Sequence, residues 1–327
     1  MVESYGHGYK PRVFITGISG FVGSELAQNL LDDGYHVGGL LRYSPRVAVN
    51  VEPLKGRAEL FYGDLRDYAC LSWILRTFQP DYVLHFGAIT LVSYSFTHPQ
   101  EVNEVNYLGT ISLAETCKRE LPNLKKFIFA STMEIYGRQP PNKPFDETTI
   151  PYPSSPYAVS KYAAEMYLRY LYDTYKFPAV IGRGSNIFGR KNDTYFVVEA
   201  AIVRMLKNPD SIEMGNNKPV RSFIYIDDVA DFYKVILKSE NKKILGEVFN
   251  TGPANGVSIK ELIEKIAKLL KWKGKVKWHT REIRSGEIFY LSTKNEKVKR
   301  MLGWKPKYTL EEGLQKDIDY WKRKLDL

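Results

Sequence analysis

Tyr157 and Lys161 are the residues of this sequence whose types and spacing most directly suggest chemistry. They stand four apart in "PSSPYAVSKYAAE", so in a helix they share one face. A tyrosine with a pKa of about 10 is a poor base at neutral pH, but a neighbouring ammonium group favours the phenolate and lowers that pKa. The same spacing also arises by chance, so the pair alone does not establish a catalytic base.

A second chemically active group ends an apolar segment. "FASTMEIYG" is typical of the end of a buried strand, yet it carries Ser131, Thr132 and Glu134. Thr132 and Glu134 are two apart, which in an extended chain puts both on one side. A carboxylate in that position can act as a general base. The alternative is that Glu134 is a turn residue exposed to water.

A glycine-rich turn predicts a dinucleotide site. "TGISGFVG" places Gly17, Gly20 and Gly23 after the first predicted strand and at the start of the first predicted helix. Gly17 permits the tight turn, Gly20 lets the backbone approach a pyrophosphate, and Gly23 allows close helix packing. The helix N-terminus adds free amides and a favourable dipole. Three glycines alone are weak evidence, but this strand-turn-helix context favours a bound dinucleotide.

The end of the second predicted strand indicates which dinucleotide. A carboxylate there would bind the ribose hydroxyls of NAD, but "HVGGLLRYSPR" has Leu41, followed by Arg42 and Arg46. Guanidinium groups suit a ribose phosphate, so we expect NADP rather than NAD. The alternative is that both arginines are surface residues. Asp64 in "YGDLRD" can accept a hydrogen bond from the adenine amino group or cap a helix.

The elements that must position these residues alternate between strand and helix. This alternation predicts an α/β fold, a doubly wound parallel (Rossmann) sheet with a smaller C-terminal α/β substrate lobe. Ligands of such sheets bind at the carboxyl ends of the strands, where Thr132 and Glu134 fall. We expect residues 1–180 with 220–245 to form the cofactor domain, and residues 181–219 with 246–327 to form the lobe.

Composition and charge exclude several classes of protein. With 327 residues, 44% of them hydrophobic, the chain can bury a full core. No apolar run approaches the roughly 18 to 20 residues of a membrane span, and the first residues lack the apolar core of a signal peptide, so we expect a soluble, cytoplasmic protein. Cys70 and Cys117 lack the spacing of a metal site, so no metal is expected. The net charge of +10 falls largely on periodic helical segments, which disfavours nucleic acid as a partner.

Taken together, these motifs resemble the extended short-chain dehydrogenase/reductase family over almost the whole chain. The matching segments are "TGISGFVG", "GDLRD", "HFGA", "NYLGT", "ASTMEIYG", "SPYAVSK", "RGSNIFG", "RSFIYIDDVA" and "LGWKPKYTLEEGL". The resemblance implies that Thr132, Tyr157 and Lys161 are the hydroxyl, base and lysine of a catalytic set, with Asn106 as a scaffold residue near the lysine. The cofactor contacts implied are Gly17, Gly20, Phe21, Val22, Gly23, Arg42, Asp64, Leu65, Tyr157 and Lys161.

Within this family, "STxE" resembles the nucleotide-sugar 4,6-dehydratases and the glucuronate decarboxylases. Epimerases typically have small or hydroxyl side chains where this chain has Glu134. A dehydratase oxidises the sugar at C4, and a second base then removes the C5 proton before water leaves C6. Met133 departs from the pattern, because dTDP-glucose dehydratases carry Asp and GDP-mannose dehydratases carry Ser at this place. Arg42 and "RSGE" otherwise resemble the GDP-mannose enzymes most.

The resemblance also implies a substrate site and an assembly. Arg221 and Arg284 would bind the pyrophosphate, Asn186 would lie near the phosphate or sugar, and Glu287 would bind the ribose. Charge-assisted bonds to a diphosphate give the arginines a physical reason, although each is also compatible with a surface salt bridge. Relatives commonly pair through the helix that bears the tyrosine, so a homodimer or homotetramer is expected.

The sequence therefore predicts an NADP-dependent nucleotide-sugar 4,6-dehydratase, a lyase with transient hydride transfer to bound NADP. The favoured substrate is GDP-mannose, giving GDP-4-keto-6-deoxymannose, with Glu134 both removing the C5 proton and returning it to the departing C6 oxygen. A 4-epimerase or 4-keto reductase is the main alternative, in which Glu134 is incidental. A UDP-glucuronate decarboxylase-type enzyme and a non-enzymatic NADP sensor are less favoured.

Overall fold

A computed structural model describes residues 9–42, 49–139, 143–280 and 286–327. Its centre is a seven-stranded parallel sheet flanked by helices, as the sequence predicted. The strands in chain order are β1 (Arg12–Thr16), β2 (His36–Leu41), β3 (Glu59–Tyr62), β4 (Tyr82–His85), β5 (Lys126–Thr132), β6 (Ala179–Gly184), β7 (Asn186–Phe188), β8 (Ser211–Glu213), β9 (Val220–Arg221), β10 (Phe223–Tyr225), β11 (Val248–Asn250), β12 (Val257–Ser258), β13 (Lys275–Lys277) and β14 (Tyr290–Leu291).

The central sheet has the strand order β11-β6-β5-β4-β1-β2-β3. β1 lies between β2 and β4 and pairs in parallel with both. Val13, Phe14 and Ile15 on β1 are fully buried, as expected for a strand covered by helices on both faces. The order reverses between β1 and β4, and in doubly wound sheets ligands bind at the carboxyl ends of the strands at such a point.

Helices connect these strands. The helices are α1 (Phe21–Asp32), α2 (Tyr68–Phe78), α3 (Val92–Thr97), α4 (Pro99–Asn103), α5 (Gly109–Glu120), α6 (Pro156–Tyr175), α7 (Val197–Lys207), α8 (Ile226–Lys238), α9 (Ile259–Leu270), α10 (Glu296–Leu302) and α11 (Leu310–Lys324). Short 3-10 helices cover Val49–Leu54, Met133–Tyr136 and Lys242–Ile244. In the part of the chain that the structure describes, no helix is long and apolar enough to cross a bilayer.

The pattern of residues 106–121 predicts one continuous helix, but that helix is interrupted. The segment "NYLGTISLAETCKREL" forms α5 only from Gly109 onward, and a π-helical turn over Glu104–Leu108 precedes it. Such turns are rare and often lie at functional sites. This one contains Asn106, and the hydrophobic pattern does not indicate it.

The chain forms two compact units. The first comprises Met1–Ser131, Ser155–Gly182 and Tyr233–Val248, and the second comprises Thr132–Ser154, Arg183–Phe232 and Phe249–Leu327. The predicted domain boundaries differ from this division, because they assigned residues 132–154 and 220–232 to the cofactor domain and residues 181–182 and 246–248 to the lobe. In the second unit β7 pairs with β10, β9 lies between β12 and β14, and β8 pairs with β13.

Candidate active site

The glycine-rich turn between β1 and α1 is shaped by close backbone contacts. Gly17 has φ of 71°, a left-handed conformation that favours glycine. A Cβ on Gly23 would lie 2.2 Å from the carbonyl oxygen of Gly17, whereas a Cβ on Gly20 would meet, beyond its chain neighbours, only that oxygen at 3.1 Å within 4 Å. The space over Gly20 is therefore open beside the N-terminus of α1, and these features fit the pyrophosphate of a dinucleotide.

The residues predicted to select the cofactor follow β2. Leu41 is buried and ends the strand, and Arg42 after it is exposed. The positive charge of Arg42 helps to lower the pKa of Asp64, so these two side chains face the same region of the first unit. Phe21 and Val22 are half-buried at the start of α1, and Arg46 lies outside the described residues.

Asp64 forms a two-point ion pair with Arg66. Arg66 Nε lies 2.9 Å from Asp64 Oδ1, and Arg66 Nη2 lies 2.8 Å from Oδ2. These bonds are the main reason that the pKa of Asp64 is lowered. The helix-capping alternative for Asp64 is wrong, because Asp67 caps α2 by accepting from Cys70 N at 2.9 Å. Leu65 between them is buried.

Helix α6 carries Tyr157 and Lys161 on one buried face. The helix begins after Ser155, whose hydroxyl accepts from Ala158 N at 3.1 Å, and Pro156 suits its first turn. Lys161 is 3% exposed, and its Nζ lies 4.1 Å from the centroid of the Phe129 ring on β5. Burial lowers the pKa of Lys161 to about 7, and the carboxylate of Glu165 partly opposes that shift.

The end of β5 is tied to the same helix. The Ser131 hydroxyl donates a short hydrogen bond to Glu165 Oε1, and Glu165 is fully buried one turn beyond Lys161. A charged lysine in this apolar face therefore has a carboxylate next to it. Glu165 was not among the residues predicted from the sequence, although its place four residues after Lys161 in "KYAAEMYL" is a signal that could have revealed it.

Asn106 is held by three hydrogen bonds, one of which joins it to α6. Its Oδ1 accepts from Ile89 N at 2.8 Å, and its Nδ2 donates to Ile89 O at 3.0 Å and to Ser160 Oγ at 3.1 Å. Ser160 in turn donates to the carbonyl oxygen of Tyr157 at 2.8 Å. Asn106 thus lies next to the turn of α6 that links Tyr157 and Lys161.

A buried histidine extends this network toward the glycine turn. Thr110 donates to Asn106 O at 2.6 Å, so its oxygen accepts from His85 Nε2 at 2.9 Å. His85 Nδ1 then accepts from the Thr16 hydroxyl, 2.6 Å away on the last residue of β1. Burial holds the pKa of His85 well below its usual value, and the charge of Lys161 adds to the effect. His85 is therefore a neutral, fixed link.

Thr132 and Glu134 belong to the second unit, and the expectation that both lie along an extended chain is wrong. Thr132 is extended and ends β5, but Met133–Tyr136 is a 3-10 helix. Thr132 caps that helix, because its hydroxyl accepts from Glu134 N at 3.2 Å. The hydroxyl keeps its own proton to donate. Glu134 is half-buried in the first turn, and Met133 is 1% exposed.

Buried polar side chains hold the turn that carries Glu134. The Tyr136 hydroxyl donates to Asn250 Oδ1 and accepts from Arg183 Nη1, both at 2.9 Å. Burial raises the pKa of Tyr136 to about 12. Glu147 Oε1 accepts from Asn250 N at 2.7 Å. No sequence pattern indicates this network, because its members are distant along the chain.

Three of the predicted substrate residues lie on or beside adjoining strands of the second unit, because Asn186 N donates to Ser222 O at 3.1 Å, next to Arg221. Asn186 begins β7, and its Nδ2 is buried without a hydrogen-bond partner among the described residues. Arg221 ends β9 and pairs with Leu291 of β14. Glu287 lies three residues before the start of β14. Arg284 lies outside the described residues. Among the described residues no group of three or more acidic, His or Cys side chains could hold a metal ion.

Comparison with known proteins identifies the family. The family described as "GDP-mannose 4,6 dehydratase" matches residues 14–317. The dTDP-D-glucose 4,6-dehydratase of Homo sapiens is 31% identical over 327 residues, which cover 96% of this chain and 91% of that protein.

Two solved structures agree in fold. The UDP-glucose 4-epimerase of Thermotoga maritima with UDP-glucose has a TM-score of 0.88 and 29% identity, covering 96% of this chain and 99% of the other. The UDP-glucose 4-epimerase of Thermus thermophilus in complex with NAD has a TM-score of 0.85 and 31% identity, covering 95% and 99%. The chain belongs to the nucleotide-sugar dehydratase and epimerase family, within the extended short-chain dehydrogenases/reductases.

Proposed function

We propose that this protein is an NADP-dependent nucleotide-sugar 4,6-dehydratase. The observation that carries the proposal is the turn after β5, where Thr132 caps a 3-10 helix whose first turn presents the half-buried carboxylate of Glu134. A 4-epimerase inverts C4 and leaves the C5 proton in place, so it needs no base there. A dehydratase needs one.

In the proposed reaction Tyr157 takes the proton of the sugar C4 hydroxyl and Thr132 donates a hydrogen bond to the same oxygen. Lys161 favours the phenolate of Tyr157 while its ammonium is charged, and Glu165 supports that charge. A bound nicotinamide supplies the remaining chemistry, accepting the C4 hydride and later returning it to C6. Reaction therefore gives a 4-keto-6-deoxy sugar with no net redox change.

Glu134 is the acid–base group for the loss of water in this proposal. Once C4 is a ketone, the C5 proton is acidic, and the carboxylate of Glu134 removes it. Position 133 offers no second acid, because it is a buried methionine. Glu134 is therefore proposed to return the proton to the departing C6 oxygen, so that one carboxyl group serves first as base and then as acid.

NADP and GDP-mannose are the favoured cofactor and substrate. Leu41 at the end of β2 and the exposed Arg42 support NADP, whereas the Thermus thermophilus relative is a complex with NAD. The family match and the sequence resemblance support GDP-mannose, whereas the human relative is named for dTDP-glucose. The buried and unpartnered Nδ2 of Asn186 supports a polar ligand in the second unit. A cytoplasmic homodimer or homotetramer rests on the family resemblance alone.

A 4-epimerase is the second candidate, because the Thermotoga maritima epimerase aligns over 96% of this chain with a TM-score of 0.88. Product mass separates the two reactions. A dehydratase product has lost water, whereas an epimerised sugar has the same mass as its substrate. Incubation with GDP-mannose, dTDP-glucose, UDP-glucose and UDP-glucuronate, followed by mass spectrometry, also detects loss of carbon dioxide by a decarboxylase.

Glu134→Gln tests the role of the carboxylate. The amide keeps the shape of the side chain but cannot take a proton, so we expect release of dehydrated product to fall by roughly 10² to 10⁴. Incorporation of solvent deuterium at C5 should be lost with it, as seen by mass spectrometry. Glu213→Gln, at an exposed carboxylate of the same unit, should behave like the parent. Dehydration by Glu134→Gln at near-parental rate would show that this carboxylate is not the C5 base.

A further inference from the structure

Two carboxyl groups that the proposed reaction does not use are completely buried in the second unit. Glu199 lies on α7 and Asp317 on α11, and both are 0% exposed. The two helices pack against each other. Charged side chains are rarely buried in this way unless they are paired or protonated.

Their hydrogen bonds leave three oxygens without donors. Glu199 Oε1 accepts from Gly189 N at 3.0 Å and from Asn192 Nδ2 at 2.9 Å. Glu199 Oε2 and both carboxyl oxygens of Asp317 are buried and make no hydrogen bond of good geometry in the described ranges. The indole N–H of Trp321, one turn further along α11, lies close enough to Asp317 to lower its pKa, but burial outweighs that effect. Full ionisation would thus place two negative charges where few groups can offset them.

The surrounding charges do not favour two carboxylates. Arg190 acts on Asp317, but it is already paired with Asp227 at 2.6 Å and donates to the Tyr225 hydroxyl at 3.0 Å. Asp193, after the loop, adds a further negative charge near Glu199.

Helix α9 packs against both helices and offers no buried cation to the pair. Its buried residues are Leu262, Ile263 and Ile266, and its Lys265 forms an exposed ion pair with Glu311. Burial raises the pKa of Asp317 to about 8 and that of Glu199 to about 7, and each value is raised further by a neighbouring carboxylate.

Glu199 holds the loop that follows Asn186. β7 runs from Asn186 to Phe188, and Gly189 comes next with φ of 137°. A Cβ at Gly189 would lie 2.7 Å from Ile226 Cγ2, so the loop fits closely there. Because Glu199 binds both ends of residues 189–192, its position fixes the path of the chain away from Asn186.

We propose that Glu199 and Asp317 form a buried acid pair that keeps one proton, and that this proton holds the 189–192 loop in the shape that lets Asn186 bind a nucleotide sugar. The inference rests on the proposed function for the identity of the ligand. With one proton, a carboxyl group can donate to an oxygen that otherwise lacks a donor. With none, like charges repel across the packed helices, and the loop loses its fixed support. Both residues are positioning residues.

Asp317→Asn tests the stability of the pair. The amide mimics the one-proton state at every pH. An acid whose pKa is raised by folding stabilises the fold at low pH, and that contribution is lost as the pH rises through the folded value. The parent's melting temperature should therefore fall relative to that of Asp317→Asn as the pH rises from 7 to 9. Asp319→Asn, on the same helix at a more exposed site, should follow the parent, and a parallel curve for Asp317→Asn would overturn the proposal.

Binding tests the link to the loop without requiring turnover. Calorimetric titration of GDP-mannose and dTDP-glucose at pH 7 and 9 should show the parent's dissociation constant rising roughly tenfold, since about one tenth of the protein would keep the proton one unit above a pKa of about 8. Asp317→Asn should show less than about a threefold rise. For the sugar that turns over, KM should follow this trend with kcat unchanged. An equal rise in parent and variant would overturn the loop's role.

Replacements of Glu199 separate positioning from simple packing. Glu199→Gln keeps an acceptor for Gly189 N and should retain parental affinity at pH 7, whereas Glu199→Ala should lose it by about tenfold or more. Equal loss in both would contradict the proposal, as would no loss in either. If the parent protein binds neither sugar, the proposed substrates are wrong. The pH dependence of the melting temperatures still tests the acid pair in that case, because it requires no ligand.

Discussion

The turn after β1 and the contact between β5 and α6 both prepare the first unit for a ligand, by opposite means. The turn depends on glycines, which have no side chain, and a Cβ on Gly23 would lie 2.2 Å from Gly17 O. Between β5 and α6, long polar side chains are buried together, with Ser131 bonded to Glu165 and Lys161 stacked on Phe129. The glycine turn should lose its function when a side-chain atom is added, and the contact between β5 and α6 should lose its function when a proton or a charge is changed.

The largest effect is expected from Tyr157→Phe, which tests the second region. The change removes one hydroxyl from a buried helix face, so turnover should fall by about 10² to 10⁴ while folding and NADP affinity remain. Turnover assays and calorimetry measure the two effects. Tyr170→Phe, on the exposed side of the same helix, is the matched control. Activity within a few fold of the parent would show that Tyr157 is not the base.

Gly23→Ala tests the first region and should give the converse result. The added methyl group must displace the Gly17 carbonyl, and overpacking of this kind typically costs about 1 to 3 kcal/mol. We expect NADP affinity to fall by roughly tenfold or more, with turnover at saturating cofactor less affected. Gly215→Ala, where an added Cβ meets no described atom within 4 Å, should bind NADP normally. Parental affinity in Gly23→Ala would mean that the turn can shift without cost.

The smallest expected effect is on the preference of the glycine turn for NADP over NAD. We expect NADP to bind at least about tenfold more tightly than NAD, a difference of about 1.4 kcal/mol, because Arg42 follows Leu41. Arg42→Ala should reduce that difference without abolishing binding of either cofactor. Calorimetric titrations of both cofactors measure it. Equal affinities in the parent, or a preference for NAD, would contradict the assignment.

The comparison also explains what could be predicted from the sequence. The parallel sheet and the glycine turn were predictable because strand, turn and helix are encoded within a few consecutive residues. The 3-10 helix after Thr132 was not, since the hydroxyl of Thr132 captures Glu134 N and bends a chain whose pattern favours a strand.

The supporting contacts escaped prediction for a related reason. Ser131 and Glu165 are 34 positions apart, and Tyr136 and Asn250 are 114 apart. Periodicity predicts that such residues lie on a buried face, but it does not indicate which polar partner they meet. The π-helical turn at Asn106 likewise depends on bonds to Ile89 and Ser160, which no local propensity encodes.

Gly87, which follows β4, packs closely against the side chains of two other residues. A Cβ there would lie 3.0 Å from Leu65 Cδ1 and 3.1 Å from Thr16 Oγ1, and the Thr16 hydroxyl accepts from Gly87 N at 3.1 Å. An alanine methyl group at position 87 would fit only if the side chains of Leu65 and Thr16 moved by a few tenths of an ångström. The residue tolerated at position 87 thus depends on those at 65 and 16, and this epistasis constrains the order in which substitutions can accumulate during evolution.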